Sequence, residues 1–298
     1  MKQYPLLFQA AYCEPLCIER GAFHSIHAAL WPRFANGQGM DVADAFAADG
    51  AKPKINAWSG RRPTYVGPKT DDERFFYTLE NRPDVAVVPV YGILAKNASW
   101  MEQVCYGITD INGIAHAIDQ AAQAKDIKTL VLDLATPGGQ VTGIREMGAQ
   151  IRAVTQQRGK TVYAFTDERC CSAGYWLASQ ADEIYGTPSA TIGSIGTYLA
   201  WLDESVKMQL EGVRLEFFGA GKHKGMGLPG KPLSQEDRAL LQDRVMEING
   251  WFTSAVTAAR PKISGDTMQG QVFSGDQSVG VHLVDGLVNG WNEFLSLL

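Results

Sequence analysis

Residues 129–139 read Thr-Leu-Val-Leu-Asp-Leu-Ala-Thr-Pro-Gly-Gly, and the fold predicted for the chain rests mainly on them. The short apolar run over residues 129–134, closed at once by turn-forming residues, predicts a buried β-strand. Gly138 and Gly139 lack a Cβ, so the backbone after the strand can turn its N–H groups outward. Such N–H groups bind a phosphate or the oxyanion of acyl transfer. A simple tight turn is the commoner role of Pro-Gly-Gly, so the motif alone assigns no function.

The chain around this strand alternates between strand and helix patterns. Further strands are predicted over residues 85–90, 161–165, 183–186 and 213–218, and helices over residues 110–124, 143–157, 171–180 and 234–260. Ser234 is the expected N-cap of the last helix, and Asp237 completes a capping-box pair with it. Strands alternating with helices of about 10–15 residues predict βαβ units, and hence an α/β fold with a mainly parallel sheet.

Residues 1–84 lack this alternation. Glycine and proline interrupt them, and the predicted elements there are a short helix over residues 41–48 and a loop over residues 52–72. We therefore divide the chain into an N-terminal arm or accessory region, residues 1–84, and a main domain, residues 85–298.

Composition limits the classes of partner. The chain has 298 residues, of which 45% are hydrophobic and 20% charged, so a sizeable core is expected. The formal net charge of −5 argues against a nucleic-acid or anionic-membrane partner, since both require a basic face. No apolar run approaches the roughly 20 residues of a membrane span. The first residues are too short an apolar stretch for a signal peptide, and we expect a cytoplasmic protein without a membrane anchor.

The cysteines predict free thiols in a reducing compartment. There are five of them, an odd number at low density, which does not suit a disulfide framework. Cys13 and Cys17 stand four apart, but no second pair of cysteine or histidine residues lies near them in sequence, so no metal site is predicted.

A candidate nucleophile lies at the predicted start of a helix. The sequence Cys170-Cys171-Ser172-Ala173-Gly174 follows the strand over residues 161–165, and the helix N-terminus there favours negative charge. The N–H of Ala173 would face an oxyanion formed at Ser172. The alternative is that Ser172 serves only as an N-cap.

A serine nucleophile needs a base, and the sequence around Ser172 holds no histidine between His116 and His223. The glycine-rich stretch over residues 219–227 contains Lys222 and Lys224, and a lysine acts as general base when burial lowers its pKa from about 10.4 towards neutrality. Ser–Lys pairs are a known variant of the catalytic triad. For Lys222, an ordinary surface lysine is the preferred interpretation.

Together these residues resemble the signal peptide peptidase A family of serine peptidases, which includes phage and prophage head-maturation proteases. The resemblance covers about residues 85–288. Its motifs occur in the family's order, namely the strand into Pro137-Gly138-Gly139, Ser172-Ala173-Gly174-Tyr175, Gly193-Ser194-Ile195-Gly196, His223-Lys224, Val272-Phe273-Ser274-Gly275 and Leu283-Val284-Asp285. Two cysteines precede Ser172 where the family usually has small residues.

The resemblance implies a caseinolytic-protease/crotonase-like fold of repeated ββα units, and a homo-oligomer without cofactor or metal. It implies that Ser172 is the nucleophile, Lys224 the base and Ser194 the residue that orients the lysine. It also implies an oxyanion hole of Gly138 or Gly139 with Ala173. The active lysine would be desolvated partly by assembly.

The function implied is a serine endopeptidase with a Ser–Lys dyad that processes scaffold, portal or other capsid proteins during phage head maturation, in the bacterial cell or the phage prohead. The alternatives are a peptidase that degrades signal peptides or membrane-protein fragments, a capsid assembly protein with weak activity, and a crotonase-like acyl-CoA enzyme.

Overall fold

The computed structural model describes residues 16–19, 65–66, 74–98, 102–103 and 107–298. The strands are β1 (Leu16–Ile18), β2 (Tyr65–Val66), β3 (Tyr77–Leu79), β4 (Arg82–Ala95), β5 (Ile108–Asp110), β6 (Thr129–Gln140), β7 (Thr161–Thr166), β8 (Arg169–Cys171), β9 (Glu183–Gly186), β10 (Thr191–Gly193), β11 (Val272–Ser274) and β12 (Gly286–Leu287). The helices are α1 (Ile111–Gln123), α2 (Ile144–Arg158), α3 (Ala173–Ala178), α4 (Ser205–Leu210), α5 (Gln235–Ala259), α6 (Gly275–Gly280) and α7 (Trp291–Leu295), with a 3-10 turn at Gly265–Thr267.

The centre of the fold is a parallel sheet in the order β4-β6-β7-β9-β12. Helix α1 leads from β5 into β6, and α2 leads from β6 into β7, as parallel neighbours require. At the far edge, β3 pairs antiparallel with β4 and β2 with β3. The predicted α/β fold with a mainly parallel sheet is confirmed.

Strand β6 is long enough to take part in two groups of strands. Its first half pairs with β7, whereas Thr136 pairs with Cys170 of β8. From β8 this second group continues in parallel to β10 and antiparallel to β11. The last residues of β6 pair antiparallel with β1. The Pro-Gly-Gly turn therefore lies where the two groups of strands diverge.

Alternate residues of the central strands face two hydrophobic clusters, as the period of a strand requires. Ala86 and Val88 of β4 belong to the main core together with residues of α1, α2 and α3. Val85 and Val87 face the opposite side, where the C-terminal helix contributes Phe294. The strands are thus covered on both faces, which explains their continuous apolar sequence.

The long helix α5 packs on the core through buried residues that include Phe252 and Val256, and one of its contacts is an aromatic stack on α3. Phe252 is fully buried and stacks on Trp176 of α3, with ring centroids 4.7 Å apart and an angle of 5° between the rings. The helix starts as predicted, because Ser234 and Asp237 form a reciprocal capping box.

One predicted strand is wrong. Residues 213–218 form no strand, and no described strand pairs with them. Val213 and Phe218 are 48% and 90% exposed. A run of β-forming residues becomes a strand only when it pairs with another strand or packs against a hydrophobic surface. This run does neither in the described parts of the chain.

Other features of the N-terminal region bear on the proposed division at residue 84. The helix predicted over residues 41–48 lies outside the described residues, as does all but residues 65–66 of the loop predicted over residues 52–72. Strands β1 and β3 precede residue 84 and yet pair with β6 and β4 of the main sheet. Among the described helices, none combines the length and apolar character needed to cross a bilayer.

Candidate active site

Ser172 lies between β8 and α3 in a conformation that few residues adopt. Its φ is 55° and its ψ −119°, and such a conformation costs of order 1–3 kcal/mol. Two backbone hydrogen bonds hold it: the N–H of Ser172 donates to the carbonyl of Gly193 at 2.8 Å, and the N–H of Trp176 donates to the carbonyl of Ser172 at 2.9 Å. Although Ser172 occupies the N-cap position, its side chain makes no capping hydrogen bond. Capping therefore does not explain this serine.

The hydroxyl of Ser172 is buried, the residue being 1% exposed. No nitrogen or oxygen of the described residues hydrogen-bonds to its Oγ, and the neighbouring side chain that approaches it is the Cys17 thiol. Burial raises the pKa of Cys17 to about 12, an effect that hydrogen bonding with Thr197 and Ser172 only partly offsets. A thiol with that pKa stays protonated at neutral pH, so Cys17 is not the base.

The glycine turn comes into direct contact with Ser172. Gly138 has a φ of 100°, and a Cβ added to it would overlap the carbonyl oxygen of Cys17 and lie 2.9 Å from Ser172 Cβ and 3.0 Å from the nitrogen of Ala173. A Cβ on Gly139 would overlap the carbonyl oxygen of Leu94. Only glycine permits these approaches. The structure therefore brings Ser172, Ala173 and Gly138 together around one small space.

Thr136 holds the turn in place and was not singled out from the sequence. Its hydroxyl donates to the carbonyl of Gly92 at 2.6 Å and accepts the N–H of Gly138 at 3.0 Å. Its methyl group also lies against Gly174, where an added Cβ would overlap Thr136 Cγ2. The available sequence signal was a hydroxyl residue directly before the Pro-Gly-Gly turn.

Ser194 and Lys224 have different surroundings. Ser194 is 7% exposed, and its N–H donates at 2.7 Å to the carbonyl of Gln271. It directly follows Gly193, whose carbonyl holds Ser172. Lys224 is exposed in a turn, and among the described contacts no hydrogen bond or ion pair joins its side chain to Ser172 or Ser194. In a single copy of the chain, Lys224 is therefore exposed and makes no described side-chain bond to either serine.

The turn that carries Lys224 is tied to α5 through its neighbour His223. His223 Nδ1 lies 2.6 Å from Asp237 Oδ1, and the Asp237 side chain is 5% exposed. Hydrogen bonds from His223 and then from Ser234 hold the pKa of Asp237 at about 2. The sequence showed both residues, but only the fold brings them together.

The stretch of chain that contains this turn exposes large hydrophobic side chains among its charged ones. Several large hydrophobic side chains of residues 206–228 are exposed, namely Val206, Leu210, Val213, Leu215, Phe217, Phe218 and Leu228. Exposed apolar side chains that form a contiguous patch are typical of an interaction site. By contrast, the described residues contain no group of three or more acidic, histidine or cysteine side chains arranged to hold a metal ion.

Comparisons with known proteins relate part of the chain to a peptidase family and most of it to two phage proteins. Residues 154–295 match the sequence profile of Peptidase family S49, and residues 106–199 match that of the NfeD1b N-terminal domain. The chain is 29% identical over 293 residues to capsid assembly protease C of Escherichia phage lambda, covering 97% of this chain and 64% of that protein. It is 28% identical over 291 residues to head-tail preconnector protein GP5 of Enterobacteria phage P21, covering 95% and 55%.

Among solved structures, a ClpP1 variant from Listeria monocytogenes is similar with a TM-score of 0.42 and 11% identity, covering 70% of this chain and 93% of that one. The chain spans less than two thirds of the length of the two phage relatives, 64% and 55% respectively.

Proposed function

We propose that the chain is a serine endopeptidase of family S49 in which Ser172 is the nucleophile, a proposal supported by the match of residues 154–295 to the profile of that family. The observation that carries the proposal is the strained, buried Ser172, whose hydroxyl has no nitrogen or oxygen partner among the described residues and which lies beside Gly138 and the Ala173 nitrogen. Strain of this kind is kept where the surrounding structure holds a reactive group in place.

In the proposed reaction a neutral Lys224 takes the proton of the Ser172 hydroxyl, and Ser172 Oγ bonds to the carbonyl carbon of the substrate peptide. The oxyanion accepts the N–H of Ala173 and an N–H of the Gly138–Gly139 turn. The amine leaves with the proton returned by Lys224. Water then hydrolyses the ester, which releases the second product and restores Ser172. Ser194 orients the neutral lysine.

Lys224 is proposed to become the base on assembly of several copies. The exposed apolar side chains around its turn, among them Leu210 and Phe218 at 85% and 90% exposure, supply a surface that a second copy would cover. Covering that surface removes water from the lysine, and desolvation lowers a lysine pKa. The proposal therefore requires a homo-oligomer as the active form.

The natural substrates proposed are scaffold, portal or other capsid proteins. This part rests on the two phage relatives, which are named a capsid assembly protease and a head-tail preconnector protein. Co-expression with candidate scaffold, portal and capsid proteins, followed by mass spectrometry of the products, tests it. Absence of any fragment that depends on Ser172 would exclude those proteins as substrates.

The catalytic pair is tested with Ser172→Ala and Lys224→Ala, and Lys222→Ala is the matched control because it removes an exposed lysine from the same turn. We expect the first two variants to lose peptide cleavage and a fluorophosphonate adduct to form on Ser172 in the unaltered protein. Cleavage by Lys224→Ala at the rate of Lys222→Ala would exclude Lys224 as the base. Mixing Ser172→Ala with Lys224→Ala restores cleavage only if the pair forms between copies.

A further inference from the structure

Strand β1 fills a slot between two other segments of backbone. On one edge it pairs antiparallel with the end of β6, with Cys17 opposite Gly139 and Ile18 opposite Gly138. On the other edge the N–H of Leu16 donates to the carbonyl of Tyr198 at 2.8 Å, and the N–H of Tyr198 donates back at 3.1 Å. Both edges of this short strand are therefore hydrogen-bonded.

The slot lies directly against Ser172. The Cys17 carbonyl oxygen, Ser172 Cβ and the Ala173 nitrogen all surround the space beside the Cα of Gly138. The Cys17 thiol lies 3.2 Å from the hydroxyl of Thr197 and against the side chain of Ser172. A backbone carbonyl and a side chain of the chain itself thus occupy the space that adjoins the proposed nucleophile.

The shape of the slot defines its ligand. The backbone groups on its two sides, which bond to β1 here, would bind an extended peptide in the same way once β1 has left, by strand addition. The N–H of Glu19 also donates to the carbonyl of Pro137 at 2.7 Å, so backbone hydrogen bonds hold the segment up to its last described residue. Backbone bonds of this kind are open to any extended peptide, whereas the side-chain positions select among peptides.

We propose that Leu16–Ile18 is an internal occupant of the peptide-binding slot, which an extended peptide must displace before it reaches Ser172. The inference rests on the proposed function, because that function identifies the slot as the place where a peptide substrate binds. The exchange of β1 for a peptide is nevertheless a binding event that needs no catalysis. The chain as described is in this sense a resting form. A peptide that displaces β1 runs antiparallel to the end of β6 and places a side chain of about cysteine size against Ser172.

Release of the strand is measured by alkylation of Cys17 in the full chain, with mass spectrometry resolving each cysteine. Cys170 in β8 is the internal control, because both thiols are fully buried and Cys170 reports opening of the sheet. We expect Cys17 to react at least ~10-fold more slowly than in the urea-unfolded chain, and Leu16→Pro to remove most of that protection while leaving Cys170 protected. Leu16→Pro deletes the N–H that donates to Tyr198.

Exchange is measured by fluorescence anisotropy of a labelled peptide with the sequence of residues 14–20. We expect Leu16→Pro to bind it at least ~10-fold more tightly than the unaltered chain, since the slot is then vacant. Glu19→Pro, which deletes the N–H to Pro137, should shift both measurements in the same direction and replaces Leu16→Pro if Cys170 becomes reactive.

Two results would overturn the inference. One is alkylation of Cys17 in the unaltered chain as fast as in the urea-unfolded chain. The other is equal peptide affinity of the unaltered chain and of a Leu16→Pro variant in which Cys17 has become reactive. Both measurements are repeated in Ser172→Ala, where no catalysis occurs. Failure of Ser172 to cleave peptides or take a fluorophosphonate label, with the strand exchange intact, would instead overturn the proposed function alone.

Discussion

Replacing Gly138 with alanine tests the site most directly, because this glycine lies against both Ser172 and β1. Its φ of 100° lies in the region that side chains disfavour, and an added Cβ would overlap the Cys17 carbonyl oxygen and crowd Ser172 Cβ at 2.9 Å. All of the nearest atoms are backbone or Cβ atoms, so no flexible side-chain end can move aside. Either β1 or the turn must shift.

The substitution is expected to lower both the free energy of unfolding and the rate of peptide turnover. A left-handed backbone at a residue with a Cβ costs roughly 1–2 kcal/mol, to which the displacement of β1 or the turn is added. A shift of the turn also moves the N–H groups proposed to bind the oxyanion, and loss of one such donor lowers turnover by about 10²–10³. We therefore expect Gly138→Ala to fold with reduced stability and to lose most of its peptidase activity.

The assay combines urea unfolding, peptide turnover and alkylation of Cys17 on the same preparation. Gly113→Ala is the matched control, since Gly113 lies within α1 and nothing stands within 4 Å of its added Cβ. That control should gain about 0.5–1 kcal/mol and keep full turnover. Faster alkylation of Cys17 in Gly138→Ala would show that β1 is the part that moves. Stability and turnover equal to the unaltered chain would refute the packing argument.

Three other perturbations test the support of the site. Phe252→Ala should lose about 3–5 kcal/mol in urea unfolding, because it deletes a fully buried ring stacked on α3, whereas Met246→Ala, at a position 58% exposed on the same helix, should change stability by less than about 0.5 kcal/mol. Gly174→Ala should lower both stability and turnover, since its Cβ would overlap the methyl of Thr136. If the variant is destabilised but keeps the turnover of the unaltered chain, the position of the Pro-Gly-Gly turn does not matter for catalysis. The folded pKa of Asp237 is lowered from 3.8 to about 2, so its stabilisation is present above pH 4 and lost as the pH falls towards 2. The Tm difference between the unaltered chain and Asp237→Asn should shrink over that interval, and a constant difference would contradict the assignment.

The predicted elements that the structure reproduces are those with a local cause. Helix α5 begins at its capping box because Ser234 and Asp237 satisfy each other's backbone groups within one turn. Strand β6 follows from its apolar run, although it continues through the Pro-Gly-Gly turn to Gln140 rather than ending before it. That extension depends on pairing with β1 and β4, which are remote in sequence. The prediction of a strand over residues 213–218 is wrong because its β-forming residues pair with no other strand in the described structure.

The α/β alternation, the glycine motif and the choice of Ser172 as candidate could all be predicted from the sequence, because periodicity, glycine and a strand-to-helix junction are properties of neighbouring residues. The strained, uncapped conformation of Ser172 and its contact with Gly138 became visible only in the folded chain. The folded chain also shows that Lys224 is exposed in a single copy while the Cys17 side chain lies against Ser172. The physical reason is that β1 reaches its place through hydrogen bonds to backbone more than 100 residues away, and backbone groups carry no side-chain signature in a sequence.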